Sequence, residues 1–178
     1  VTENYLDRKF HADKPNEKWL TDVTELKWYE GIEVHKVYLS AILDLYDRRI
    51  VAYVVSDRND NPLVFKTFDR AVKANPGAHP LFHSDRGYQY TNRTFHHKLE
   101  KAGMTQSMSR VAKCIDNGPM EGFWGILKRE RYYGKRFTSK KELVDMIENY
   151  IRYYNNQRVQ RNLGVLTPME KHNLYLAA

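Results

Sequence analysis

Only one cysteine, Cys114, occurs among the 178 residues. A lone thiol excludes an internal disulfide and any zinc site built on several cysteines, and it fits a reducing compartment. No apolar run reaches the ~18 residues that a membrane-crossing helix needs, so no membrane partner is expected. The opening residues, VTENYLDRKF, are polar and lack the apolar stretch of a secretory signal. An initiator methionine is also missing, which suggests a fragment of a longer protein. Internal repeats and low-complexity tracts are absent. Acids are in the minority, 22 against 29 Lys and Arg, for a net charge of +7. That excess suits a polyanionic partner such as nucleic acid, because each neutralised phosphate releases counterions. Hydrophobic residues are present in ordinary measure, 42%, enough at this length for one domain with a sizeable core.

Periodicity divides the chain. Residues 1–18 are polar, without a clear period. "KWLTDVTELKW" suits a strand, with Trp19 beside the β-branched Thr21, Val23 and Thr24. Two runs rich in Val, Ile, Leu and Tyr follow, around 34–44 and 49–55, with "DLYDRR" as the turn between them. Together they predict three consecutive antiparallel strands, with Gly31 in the first turn. "PLVFKTFDRAVKAN" changes to a helical period, stopped by Asn75-Pro76-Gly77. "HPLFHSD" reads as a buried strand ending near Asp85, "TNRTFHHKLEKAG" as a helix closed by Gly103, and "MTQSMS" as another short strand. Residues 109–117 form a loop and 118–133 a helix. "SKKELVDMIENYIRYYNNQR" is the longest periodic segment, with Leu143, Met146, Ile147, Tyr150, Ile151 and Tyr154 on one face. Its tyrosines suit helix packing better than base stacking. The order of elements predicts an α/β fold, a mixed sheet with helices on both faces.

Three acids stand out. Asp22 lies in the first strand and Asp85 at the end of the fourth, where an α/β sheet usually places its ligands. Each is in an apolar or aromatic context, and an unpaired buried carboxylate needs a cation or several donors. "SDRG" is also good turn chemistry, so Asp85 alone could simply cap a turn. Glu121 follows in "DNGPMEGFWGILKRE", where Asn117 or Gly118 can cap a helix and Pro119 can open it. There an acid also favours the positive end of the helix dipole. Met120, Phe123, Trp124 and Leu127 form the buried stripe of that helix. Glu121, Gly125 and Lys128 form a second face, where Gly125 would leave room for a bulky ligand. Carboxylates that meet at one sheet edge repel one another unless divalent cations lie between them, and Mg²⁺ prefers such oxygen donors. His83, two residues before Asp85, could tune the site, touch DNA or be a core histidine.

Thirty-five residues separate Asp85 from Glu121. This spacing, with Asp22 upstream, resembles the DD35E pattern of retroviral integrases and bacterial transposases. The blocks "KWLTDVTEL", "HSDRGYQYT", "SMSR", "DNGPMEGFWGILKRE" and "YIRYYNNQRVQRNLGVLTPME" more closely resemble transposases of the IS3 family, the IS150-like group in particular. Gly122 and Ala112 depart from that pattern without touching the three acids. The resemblance implies a ribonuclease H-like fold with a mixed five-stranded sheet. Residues 1–18 would link from an N-terminal DNA-binding region, and 19–178 would be the catalytic core with a helical C-terminal end. It implies Asp22, Asp85 and Glu121 as catalytic, metal-binding residues for two Mg²⁺ or Mn²⁺ ions. DNA, as element ends and target, would be the substrate, and a homo-oligomer would assemble on it in the bacterial cytoplasm. Lys128, Arg86, Arg110, Lys113 and Arg129 are the candidate phosphate contacts. A ribonuclease H-like nuclease without strand transfer, or a non-catalytic DNA-binding module, are the alternatives.

Overall fold

The computed structural model describes residues 2–178, with every side chain among them but that of Cys114. Strands β1 (Lys18–Glu30), β2 (Glu33–Asp44) and β3 (Ile50–Ser56) form an antiparallel meander. Gly31, at φ 62°, supplies the left-handed residue of the β1–β2 turn. After helix α1 (Asn61–Ala74), β4 (Leu81–Ser84) returns parallel to β1. Helices α2 (Tyr88–Thr91) and α3 (Arg93–Lys101) then lead to β5 (Thr105–Met108), parallel to β4. The sheet order is β3-β2-β1-β4-β5, the mixed five-stranded sheet expected.

Period-two alternation sends neighbouring strand residues to opposite faces. Trp19, Ile42 and Phe82 pack with Phe68 of α1 and Phe95 and Leu99 of α3. Leu20, Leu26, Leu39 and Leu43 pack on the other face, with Met120, Trp124 and Leu127 of α4 (Gly118–Leu127) and Leu143, Ile147 and Tyr150 of α5 (Lys140–Asn156). Side-chain caps set the helix starts, Asp60 for α1, Asn92 for α3 and Ser139 for α5.

Four details depart from the periodicity reading. The helix expected over 91–103 is broken at Asn92, whose extended backbone (φ −75°, ψ 154°) separates α2 from α3 and whose side chain caps Phe95 N. The helix expected over 118–133 stays α-helical only to Leu127. Residues Lys128–Tyr132 widen into a π-turn, closed by Tyr133 N donating to Lys128 O at 2.7 Å. A further helix, α6 (Pro168–Ala177), has a Thr167–Glu170 capping box but buries only Pro168, so apolar periodicity does not reveal it. It docks through His172, whose Nδ1 lies 2.8 Å from the buried carboxylate of Asp47. Finally, residues 2–17, within the segment read as a linker, carry no helix or strand but are packed down. Leu6 and Ala12 are buried, and Leu6 N donates to Ser107 Oγ at 3.0 Å. Burying Leu6 contributes about 1.5–3 kcal/mol relative to leaving it in water. Lys18, the last residue of that segment, opens β1, and Val1 lies outside the described residues.

Candidate active site

The strand register brings two of the three acids to one face. Trp19 pairs with Phe82 and Leu20 with His83 across the parallel β1–β4 ladder. Carried two residues further, that register sets Asp22 beside Asp85, on the side of the sheet that α4 covers. Asp22 is half-buried in mid-strand, and its Oδ2 accepts a hydrogen bond from Trp124 Nε1 at 3.1 Å. Asp85 lies just past β4, where its Oδ1 accepts from Gly87 N at 2.7 Å. The turn chemistry of "SDRG" is therefore real and coexists with the position beside Asp22. A Cβ on Gly87 would stand 3.0 Å from that same Oδ1, so any larger residue there would press on the Asp85 carboxylate. Glu121 is exposed in the first turn of α4. Asn117 is the cap of α4, but its side chain does not cap the helix. Its Nδ2 donates to Thr21 O at 3.2 Å, which ties the helix start to β1.

The electrostatics mark Asp22 as unusual. Burial pushes the Asp22 carboxyl up to about 8, aided by the negative charge of Asp85 and by contact with Glu121. Among the described residues, no Lys, Arg or His nitrogen lies within 4.0 Å of Asp22, Asp85 or Glu121, whereas other buried acids are paired. The three do not close to within 4.8 Å of one another. Among the described residues only Glu30, Glu33 and His35, exposed or half-exposed at the β1–β2 turn, meet that spacing. Two buried polar atoms near the acids also have no hydrogen-bond partner, Asn117 Oδ1 and Tyr90 Oη. An all-oxygen, uncompensated donor set of this kind suits a hard divalent cation such as Mg²⁺.

Beside the acids lies a cleft of about 320 Å³ lined by Asp85, Arg86, Gly87, Arg110, Lys113, Asn117 and Glu121. The candidate phosphate contacts differ in what they already do. Lys113 is exposed at the cleft. Arg86 Nη2 donates to Thr2 O at 3.1 Å, and its Nε is buried without a partner. Lys128 Nζ donates to Thr24 Oγ1 at 2.9 Å. Arg110 departs from the expectation of a free cation. Its Nε and Nη2 hold Asp116 at 2.9 and 2.8 Å, so much of its charge is offset. Arg129 folds back over Gly125, with Nη1 2.9 Å from where a Cβ would stand. The room expected at Gly125 for a bulky ligand is therefore taken by the protein's own guanidinium.

Asp116 and His83 are structural. Asp116 is fully buried and held by Arg8, Arg110 and Asn4, with Arg8 Nε at 2.7 Å. These donors, Arg110 foremost, keep its carboxyl well below the usual range. His83 is fully buried, with Nδ1 2.9 Å from Ser107 Oγ and Nε2 3.2 Å from Ser109 Oγ. Burial pushes its ring down to about 4, so it is a neutral link between β4 and β5.

Two family models, each described as integrase core domain, match residues 12–114 and 121–176. The chain belongs to the integrase core domain family. It is 42% identical over 171 residues to the putative transposase InsK for insertion sequence element IS150 of Escherichia coli, covering 96% of this chain and 59% of that protein. It is 43% identical over 169 residues to an uncharacterized transposase-like protein of Haemophilus influenzae, covering 95% and 76%. The integrase core thus spans little more than half the length of the first of these relatives. Among solved structures, it superposes on the HTLV-2 integrase catalytic core domain in complex with magnesium at a TM-score of 0.65 and 18% identity, covering 89% of this chain and 97% of that one. A simian T-cell lymphotropic virus intasome chain gives 0.74 and 17%, covering 91% and 56%. At such identities the likeness is one of fold, the ribonuclease H-like integrase fold.

The sequence reading missed one contributor to this site. Helical periodicity places Trp124 in the buried stripe, yet its indole N–H is spent on Asp22. The available signal was its position, three residues after Glu121 and so on a neighbouring part of the same helix.

Proposed function

We propose that this integrase core is the catalytic core of a DNA transposase. Its reaction would be hydrolysis of one phosphodiester at an element end, followed by attack of the freed 3′-hydroxyl on a second phosphodiester in target DNA. The observation that carries this reading is the convergence of Asp22, Asp85 and Glu121 from β1, β4 and α4 without a cationic side chain among them. These three would hold Mg²⁺ or Mn²⁺, two ions in all. When bound, the ions supply positive charge opposite the carboxylates and toward the charge that develops at phosphorus and its attacking and leaving oxygens.

The protein's own share is positioning. Asp22 is fixed by the sheet and by Trp124, and Asp85 by its turn to Gly87. Glu121, exposed at a helix start, is the acid with freedom to adjust. Lys113 and Arg86 line the cleft with Asp85 and Glu121 and, with Lys128 and Arg129 just past the helix that carries Glu121, serve as phosphate contacts, with Arg110 secondary because Asp116 holds it. Phosphate contacts orient DNA without reading it. Both steps are in-line displacements at phosphorus, so one site serves both. The substrate is DNA in the bacterial cytoplasm, and copies of the chain assemble on it.

The test is a strand-transfer assay with Mn²⁺ and an oligonucleotide carrying a pre-cut 3′-hydroxyl element end. Products longer than the substrate are expected, and Asp85→Asn should remove them. Nicked products without any joined product would favour a nuclease and overturn the transfer step.

A further inference from the structure

We infer that Trp124 is a positioning residue for Asp22, orienting its carboxylate for the metal by a neutral hydrogen bond. The inference rests on the assignment of Asp22 as a metal ligand. The indole is buried, packs against Phe123 with ring centroids 5.3 Å apart, and places Nε1 3.1 Å from Asp22 Oδ2. An indole is a donor only and carries no charge. It occupies one lone pair of Oδ2 and adds no positive charge of its own to the carboxylate. An arginine or lysine there would orient the carboxylate but also neutralise it, as Arg8 and Arg110 do to Asp116.

The bond also fixes how α4 lies on β1. Lys128, one turn beyond Trp124, reaches Thr24, two residues beyond Asp22. One helical turn of four residues rises ~6 Å and two strand residues ~6.8 Å, so both bonds form in a single register of helix on strand. A shift of α4 by one residue would break both. Glu121 lies one turn before Trp124 on the same helix. The register that seats the indole on Asp22 therefore also sets how near Glu121 comes to it.

Trp124→Phe keeps the ring packing and removes the donor. Mn²⁺ binding to the chain, measured by calorimetry, should weaken about tenfold, the lower end of what loss of a ligand-orienting partner costs. The melting temperature should stay within a few degrees of the parent. Asp22→Asn should abolish binding. If Asp22→Asn abolishes binding and Trp124→Phe leaves it unchanged, the role of Trp124 is overturned while the metal site stands. If Asp22→Asn binds Mn²⁺ like the parent, the metal-site reading fails and this inference fails with it.

A second readout needs no folded Trp124 variant. The chain has three tryptophans, so a ¹⁵N-labelled sample shows three indole N–H signals. Trp28→Phe and Trp19→Phe identify the Trp124 signal by elimination. Addition of Mg²⁺ should move that signal and leave the other two in place, and Asp22→Asn should move it without metal. A Trp124 signal indifferent to both would overturn the inference.

Discussion

Asp116 and Asp22 are two carboxylates of one domain treated in opposite ways. Asp116 receives two arginines and an asparagine, and its carboxyl is held far below its ordinary range. Asp22 receives one neutral indole, faces two further acids, and is pushed up to about 8. Asp44 and Asp47 are likewise paired, with Arg49 Nη1 at 2.9 and 2.8 Å from them. The fold pairs its fully buried acids with cations and leaves Asp22, Asp85 and Glu121 without one among the described residues. Buried acids with their own cations hold segments together, as Asp116 holds the N-terminal stretch through Arg8. Acids left without one are free to take a cation from solution.

The sharpest way to break this contrast is to neutralise one acid from each set. Asp85→Asn or Glu121→Gln should take strand transfer below detection while leaving the melting temperature equal to or slightly above the parent's, since a repelling charge is gone. Activity retained in both variants would remove the distinction. Asp116→Asn should do the reverse and destabilise by about 2–3 kcal/mol. That is less than a fully buried pair would cost, because its arginines are half-exposed and can be rehydrated. Thermal melting should then fall by roughly 5–10 °C.

The same comparison has a pH signature. The Asp116 carboxyl is depressed in the folded state, so the unfolded chain binds its proton first on acidification. Its contribution is complete above the ordinary aspartate pKa of about 3.9 and is lost as pH falls below that. Melting scans of the parent and Asp116→Asn should therefore differ most at neutral pH and draw together below about pH 4, the gap closing only below the depressed folded value. A constant gap would mean that packing, not charge, explains the loss.

A smaller effect should come from metal. Mg²⁺ at ten times its Kd should stabilise the parent by about 1.4 kcal/mol, roughly 3–5 °C, because it binds only the folded site. Asp85→Asn should show no such gain, and Asp116→Asn should keep it. The smallest change concerns DNA. Lys128→Ala should weaken binding alike on element-end and scrambled duplexes and make the salt dependence shallower by about 0.9 in log–log slope. A loss confined to the element end would give Lys128 a reading role instead.

Local sequence chemistry determined much of this protein. Alternation in "KWLTDVTEL", the helical period of "PLVFKTFDRAVKAN" and the stripe from Leu143 to Tyr154 depend on neighbours a few residues away, and so the sheet, α1 and α5 were legible. The three acids stand out in the sequence through their order and spacing together with the blocks around them. Where local signals compete or are weak, the reading was incomplete. Asn92 capped one helix by ending another, the π-turn after Leu127 has no composition of its own, and α6 buries too little to show a period. What a side chain does across the fold was decided only in three dimensions. Asp116 and Glu121 lie five residues apart in one motif, yet the first is neutralised by Arg8, 108 residues away in sequence. The indole of Trp124 reaches Asp22 across 102 residues. Such partners meet only when β1, α4 and the N-terminal segment are packed together. Whether a buried acid is a strut or a ligand follows from those meetings, because its free energy is set by the charges and donors within a few ångströms.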